Sequence, residues 1–139
     1  MAISGSQALL NAHPGSDIDL FIITKPNRIW LARSLVSMYF QILGQRRHGQ
    51  HIAERFCLNH YLAEDTEITN DRNLYTAVEY ASLLPVLGED TLQRFWQQNF
   101  WIGEFLPRAV YEANGIFFDF QFSLMQRILE KFLDYTLAA

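Results

Sequence analysis

Asp17 and Asp19 are the residues of this 139-residue chain best suited by type and spacing to do chemistry. They stand in the run Ser16-Asp17-Ile18-Asp19-Leu20-Phe21-Ile22-Ile23-Thr24. Its β-branched and aromatic content predicts a strand, and its wholly apolar far end predicts a central place in a sheet. Alternate strand residues project from one face, so the two carboxylates emerge side by side, roughly 7 Å apart at Cα. Ile18 and Leu20 point the other way and anchor the strand in a core. A carboxylate pair of this kind can hold one or two divalent ions and so stabilise both the attacking and the leaving oxygen of a phosphoryl or nucleotidyl transfer. Mg²⁺ is the expected ion, because it prefers hard oxygen ligands together with substrate phosphate.

Upstream, Ala2 and Ile3 read as the stub of a strand that runs into Ser4-Gly5-Ser6 and then a short helix through Ala8, Leu9 and Leu10. Backbone N–H groups at such a strand-to-helix turn attract anions. Gly5 permits close approach to the backbone, and Ser6 adds a hydroxyl donor, so the turn is expected to hold a β- or γ-phosphate. Ten residues separate Ser6 from Asp17, enough for a short helix, a stop at Pro14-Gly15, and a return on the neighbouring strand. Ser16 and Lys25, one on each side of the strand, complete the expected phosphate contacts. Lys25 is close enough to neutralise triphosphate charge, although a lysine that opens a surface loop needs no function.

The run Gly5-Ser6, ten residues, then Asp17-Ile18-Asp19-Leu20 resembles the signature of the DNA polymerase beta-like nucleotidyltransferase superfamily, in which a Gly-Ser turn precedes an Asp-x-Asp strand. Thr24-Lys25-Pro26, Cys57-Leu58-Asn59-His60-Tyr61 and Phe105-Leu106-Pro107 are similar to a bacterial group of small nucleotidyltransferase-like proteins. The resemblance implies Asp17 and Asp19 as metal ligands and Gly5 and Ser6 as phosphate contacts. It also implies a nucleoside triphosphate donor, ATP first among them, and an acceptor hydroxyl on a small molecule, a protein or an RNA end. One departure stands out. Many members carry a third carboxylate on a later strand, where this chain offers only Asn59, a neutral oxygen ligand. Glu64 or Asp65, just past that strand, are the available substitutes, although acidic residues at a strand end are usually only solvated. An inactive nucleotide-binding or interaction module with the same fold is therefore the rival expectation, and an aromatic-rich oligomerisation domain without ligand is a third.

Beyond the acidic strand, Pro26 can open a helix over residues 27–43, closed by Gly44. Arg33, Ser34, Ser37 and Gln41 form one polar stripe on it, which predicts a core helix with most of its circumference buried. Residues 44–51 read as a polar loop in which Arg46, Arg47, His48 and His51 are simply solvated. A second strand is expected over residues 55–62. Helices follow over residues 72–84, capped by Asp71 and stopped by Pro85, over residues 90–106, and over residues 118–137. In the first of these, Leu74, Ala77, Val78, Ala81 and Leu84 should be buried. Trp96, Phe100 and Trp101 are expected in the core rather than stacked on a base.

The fold class expected is thus mixed α/β (α+β): a small mixed sheet over residues 1–68 that carries the site, and a helical part over residues 69–139 packed on it or on a partner. Half of the residues are apolar, enough for one domain with one core. Fifteen acidic against eleven basic side chains give a net charge of −4, which disfavours a long grip on a phosphate backbone. The first strand lies so near residue 1 that an upstream segment is expected to be missing. A single cysteine and no secretory leader suggest a cytoplasmic setting, and no stretch reaches the roughly 20 apolar residues of a membrane span. A homo-oligomer is compatible with this composition. The four histidines have no zinc-type spacing. A Cys57–His60 nucleophile is rejected because three residues along a regular strand put the two side chains on opposite faces.

Overall fold

A computed structural model describes residues 1–109 and Lys131, and apart from Lys131 the helix expected over residues 118–137 lies outside the described residues. Among the described residues the fold is mixed α/β, with one four-stranded sheet and five helices. The order along the chain is β1 (Ala2–Ser4), α1 (Gly5–Ala8), β2 (Ile18–Thr24), α2 (Ile29–Ile42), β3 (Phe56–Ala63), α3 (Leu74–Ala81), β4 (Leu84–Pro85), α4 (Glu89–Gln98) and α5 (Ile102–Phe105).

The sheet order is β3-β2-β1-β4, so the acidic strand is central, as its apolar content requires. β1 pairs antiparallel with β2 and with β4, whereas β2 and β3 run parallel through the α2 crossover. Pro85 lies in β4, an edge strand, where a missing N–H is tolerated. The chain expected to stop at Pro85 and stay helical therefore adds one short strand first.

Alternation along β2 splits the core in two. Phe21 is fully buried with Ala2, Ala77, Tyr80, Phe95, Trp96 and Trp101 on the face covered by α3, α4 and α5. Leu20 and Ile22 join Leu58 on the other face, with Val36 and Phe40 of α2 packed on them. No residue of α2 is itself buried, and Trp30 and Ile42 are each 77% exposed, which corrects the expectation of a core helix. A single helix laid on one sheet face buries only the stripe it presents, and among the described residues nothing covers its outer side.

In α3 it is Thr76, Ala77 and Tyr80 that are buried, while Leu74 is exposed. Its cap is Asn73 rather than Asp71: the Asn73 side-chain oxygen accepts from the Thr76 N–H at 3.0 Å and from the Thr76 hydroxyl at 3.2 Å. Asn73→Ala should therefore cost about 1 kcal/mol, seen as a lower urea midpoint at unchanged slope. The helix expected over residues 90–106 breaks at Asn99. This fully buried side chain donates to the Phe95 carbonyl at 2.9 Å, while its oxygen accepts from Ile68 N–H and the Trp101 indole at 3.1 Å each. An asparagine so engaged competes with the helical ladder, and the chain turns there before α5. Trp96 and Trp101 are buried as expected, and Phe100 is exposed. No helix among the described residues is long and apolar enough to cross a membrane.

Candidate active site

The site is built at the entry end of β2. Asp19, its second residue, lies opposite Ser4 of β1 and beside Cys57 of β3, so the hydrogen-bonded ladder fixes its carboxylate between two strands. Asp19 shares its sheet face with Phe21, which is packed rigidly in the core two residues on. Asp17 precedes the strand. Its backbone path is held by its neighbours: Ile18 N–H donates to the Arg55 carbonyl at 2.9 Å, and Glu54 N–H donates to the Ser16 carbonyl at 3.0 Å. The two carboxylates do emerge together, and ligand atoms of Asp17, Asp19 and Cys57 all lie within 4.8 Å of one another.

The Gly-Ser turn closes directly on this pair. Gly5 begins α1 at φ +65°, a left-handed conformation that favours glycine, and a Cβ added there would meet the Asp19 carboxylate oxygen at 2.4 Å. The missing side chain is what lets the Asp19 carboxylate lie against the turn. α1 is a single turn, so its dipole adds little and any anion contact falls to the N–H groups of the turn itself.

A cavity of about 470 Å³ opens at this point, lined by Ser4, Gly5, Asp19, Arg47, Cys57, Asn59, His60, Tyr75 and Glu79. A second cavity of about 280 Å³ shares Arg47, Cys57 and Asn59 with it and is lined further by Arg46, His48 and Gly49. Arg47 is thus at the junction, its Nη1 donating to Asp17 Oδ2 at 2.6 Å. The loop that carries it is tied to the sheet by Arg47 N–H, which donates to the Phe56 carbonyl at 3.0 Å.

Several expected site residues fall elsewhere. Lys25 follows the far end of β2, six residues from Asp19 or about 20 Å along a strand, and it does not line the cavity. Ser16 is spent on a turn, its hydroxyl accepting from His13 N–H at 3.0 Å. Ser6 adjoins Gly5 without lining the cavity. Asn59 does line it. Glu64 cannot stand in for a third carboxylate: β3 runs parallel to β2, so Glu64 lies at the far end, its N–H donating to the Thr24 carbonyl at 2.8 Å, and Asp65 follows it. The second carboxylate facing the cavity is Glu79, supplied by α3 instead of a strand.

The register also overturns the separation expected for Cys57 and His60. Asp19 pairs with Cys57 but Phe21 pairs with His60, so β3 carries one extra residue against β2. This bulge returns His60 to the face of Cys57, and both line the cavity. Burial, reinforced by contact with Asp19, raises the Cys57 pKa and so disfavours the thiolate that a nucleophile needs. Burial lowers the His60 pKa, with Glu79 and Asp19 opposing. His60 Nδ1 lies 3.9 Å from Glu79 and Nε2 lies 3.4 Å from the Tyr80 hydroxyl, whose pKa burial pushes up to about 12.

Sequence reasoning therefore missed Arg47, Cys57, His60, Tyr75 and Glu79 as site residues. Tyr75 and Glu79 were within reach, since residues four apart on a helix share a face. The bulge has no local signature. Comparison with family models, with curated proteins and with solved structures returns no match for this chain.

Proposed function

We propose that the chain is the active-site part of a Mg²⁺-dependent nucleotidyltransferase of the DNA polymerase beta-like kind, transferring a nucleoside monophosphate from a triphosphate, ATP first, to an acceptor hydroxyl. The observation that carries this reading is the contact of the Asp19 carboxylate with the side-chain-free face of Gly5, with Asp17 alongside. A strand acid and a turn suited to phosphate are thereby adjacent in space as well as in motif. The donor set fits Mg²⁺, offering two carboxylates with oxygens in mutual reach and open volume beside Asp19. Held by Asp17 and Asp19, the ion would neutralise triphosphate charge.

The chain's own groups do the rest. Gly5, on the cavity wall, would offer its turn N–H to a phosphate, and the cavity walls would position the nucleotide for in-line attack. Glu79 faces the same cavity and is the carboxylate available to take the proton of an acceptor hydroxyl on a small molecule, protein or RNA end. A cytoplasmic setting suits a lone cysteine kept as a buried thiol. Asn59, where a strand carboxylate would serve a second ion, favours the rival reading of a nucleotide-binding module without turnover.

Calorimetry with ATP tests the first half. Binding in the presence of Mg²⁺ that is lost on adding EDTA is expected, and no heat under either condition would sink both readings. Pyrophosphate release with a panel of acceptor classes separates them: turnover identifies the enzyme, and metal-dependent binding with no release for any acceptor identifies the module.

A further inference from the structure

We infer that Arg47 is a built-in counter-ion that occupies the metal side of Asp17 in the metal-free protein and moves to the triphosphate when metal and nucleotide arrive. The inference rests on the proposed nucleotide site and adds to it a positioning residue and an order of events.

The geometry is specific. Arg47 Nη1 is 2.6 Å from Asp17 Oδ2 and 3.9 Å from Cys57 Sγ, so the guanidinium sits among the same ligand atoms that would surround a cation. It approaches from solvent: the Arg47 side chain is 42% exposed and the Asp17 side chain 17%, so the arginine can leave without disturbing the core. It has somewhere to go, because Arg47 lines both the cavity that contains Gly5 and Asp19 and the smaller one beyond it. The backbone contact of Arg47 with Phe56 keeps the arm's base fixed while the side chain swings.

With no metal, two neighbouring carboxylates repel each other, and an arginine bridging to one of them relieves that repulsion. A divalent cation and a guanidinium compete for Asp17, so the metal must displace Arg47 to be held by both acids. A triphosphate supplies an alternative partner for the freed arginine, whose planar fork matches paired phosphate oxygens. Metal alone is then bound weakly, and metal with nucleotide strongly.

Mn²⁺ serves as the probe, with free ion counted by electron paramagnetic resonance on the whole chain, without nucleotide and then with ATP. Arg47→Gln, which keeps hydrogen-bonding capacity and removes charge, should bind Mn²⁺ alone at least about threefold tighter and Mn²⁺-ATP about tenfold weaker than wild type. Arg47→Lys, which keeps the charge, should retain wild-type affinity for Mn²⁺ alone. Asp19→Asn should lose Mn²⁺ binding in every background. Unchanged or weaker Mn²⁺ binding by Arg47→Gln, with binding still lost in Asp19→Asn, overturns the counter-ion role and leaves the nucleotide site standing. Unaltered Mn²⁺-ATP affinity in Arg47→Gln overturns the transfer to phosphate. No Mn²⁺ binding by either wild type or Arg47→Gln, with or without ATP, removes this inference together with the proposed function.

Discussion

On the proposed function, Gly5→Ala is expected to lower metal-dependent nucleotide turnover by about 100-fold, although it adds only one methyl group outside the core. Two costs combine. The backbone at Gly5 has φ +65°, where an alanine is strained by roughly 1–2 kcal/mol. The new Cβ would also stand 2.4 Å from Asp19 Oδ2 and 3.2 Å from Asp19 Cγ, so the carboxylate must turn away from the place where it faces Asp17 and the cavity. A displacement near 1 Å of a positioning group costs on the order of 100-fold in rate. Gly44→Ala separates the two contributions. Gly44 has φ +63° and open space around its missing Cβ, so this variant should share the loss of stability and keep nucleotide binding. Denaturation midpoints together with ATP calorimetry on both variants check the pair, and equal nucleotide affinities in the two would remove the steric role of Gly5.

The parts of this site that depend on short-range geometry were readable in the chain. Asp17 and Asp19 bring their carboxylates together as their two-residue spacing predicts, although Asp17 precedes β2, and Gly5 is a glycine because the turn after β1 needs a positive φ. The strand centrality of β2 followed from its apolar run. What escaped depends on pairing between distant segments. The Cys57–Asp19 register and the extra residue before His60 are properties of two strands together, and no feature of either strand alone specifies them. Arg47 reads as a solvated loop residue until the loop's return to Phe56 brings it over Asp17. Lys25 was misplaced for a simpler reason: it follows the far end of β2, and nearness in sequence to the acids concealed about 20 Å of extended chain, whereas Glu64, at the same end of the parallel strand β3, lies away from the acids as a merely solvated residue would. The outer face of α2 shows that an apolar circumference predicts burial only when a second layer is there to provide it.

Phe21→Ala is expected to destabilise the protein by about 3–5 kcal/mol, a large part of the 5–15 kcal/mol that holds a typical domain together. Phe21 is fully buried, with its ring 4.6 Å from His60, 5.2 Å from Phe95 and 5.7 Å from Tyr80 in edge or tilted contacts. These partners come from β3, α3 and α4, so one side chain joins the acidic strand to most of the layer that covers it. Truncation loses both the transferred ring and its aromatic contacts, and the rigid neighbours Trp96 and Trp101 limit collapse into the space left behind. Because Phe21 lies two residues beyond Asp19 on the same face, the loss should also loosen the site: His60 loses the nearer of its two ring partners and keeps only Tyr80, and the bulge that brings it to the cavity loses packing support. Phe21→Leu fills much of the volume without the ring and should recover part of the stability. Urea unfolding of the three proteins measures this directly, and a change below about 1 kcal/mol for Phe21→Ala would mean that the core around β2 is not the one described.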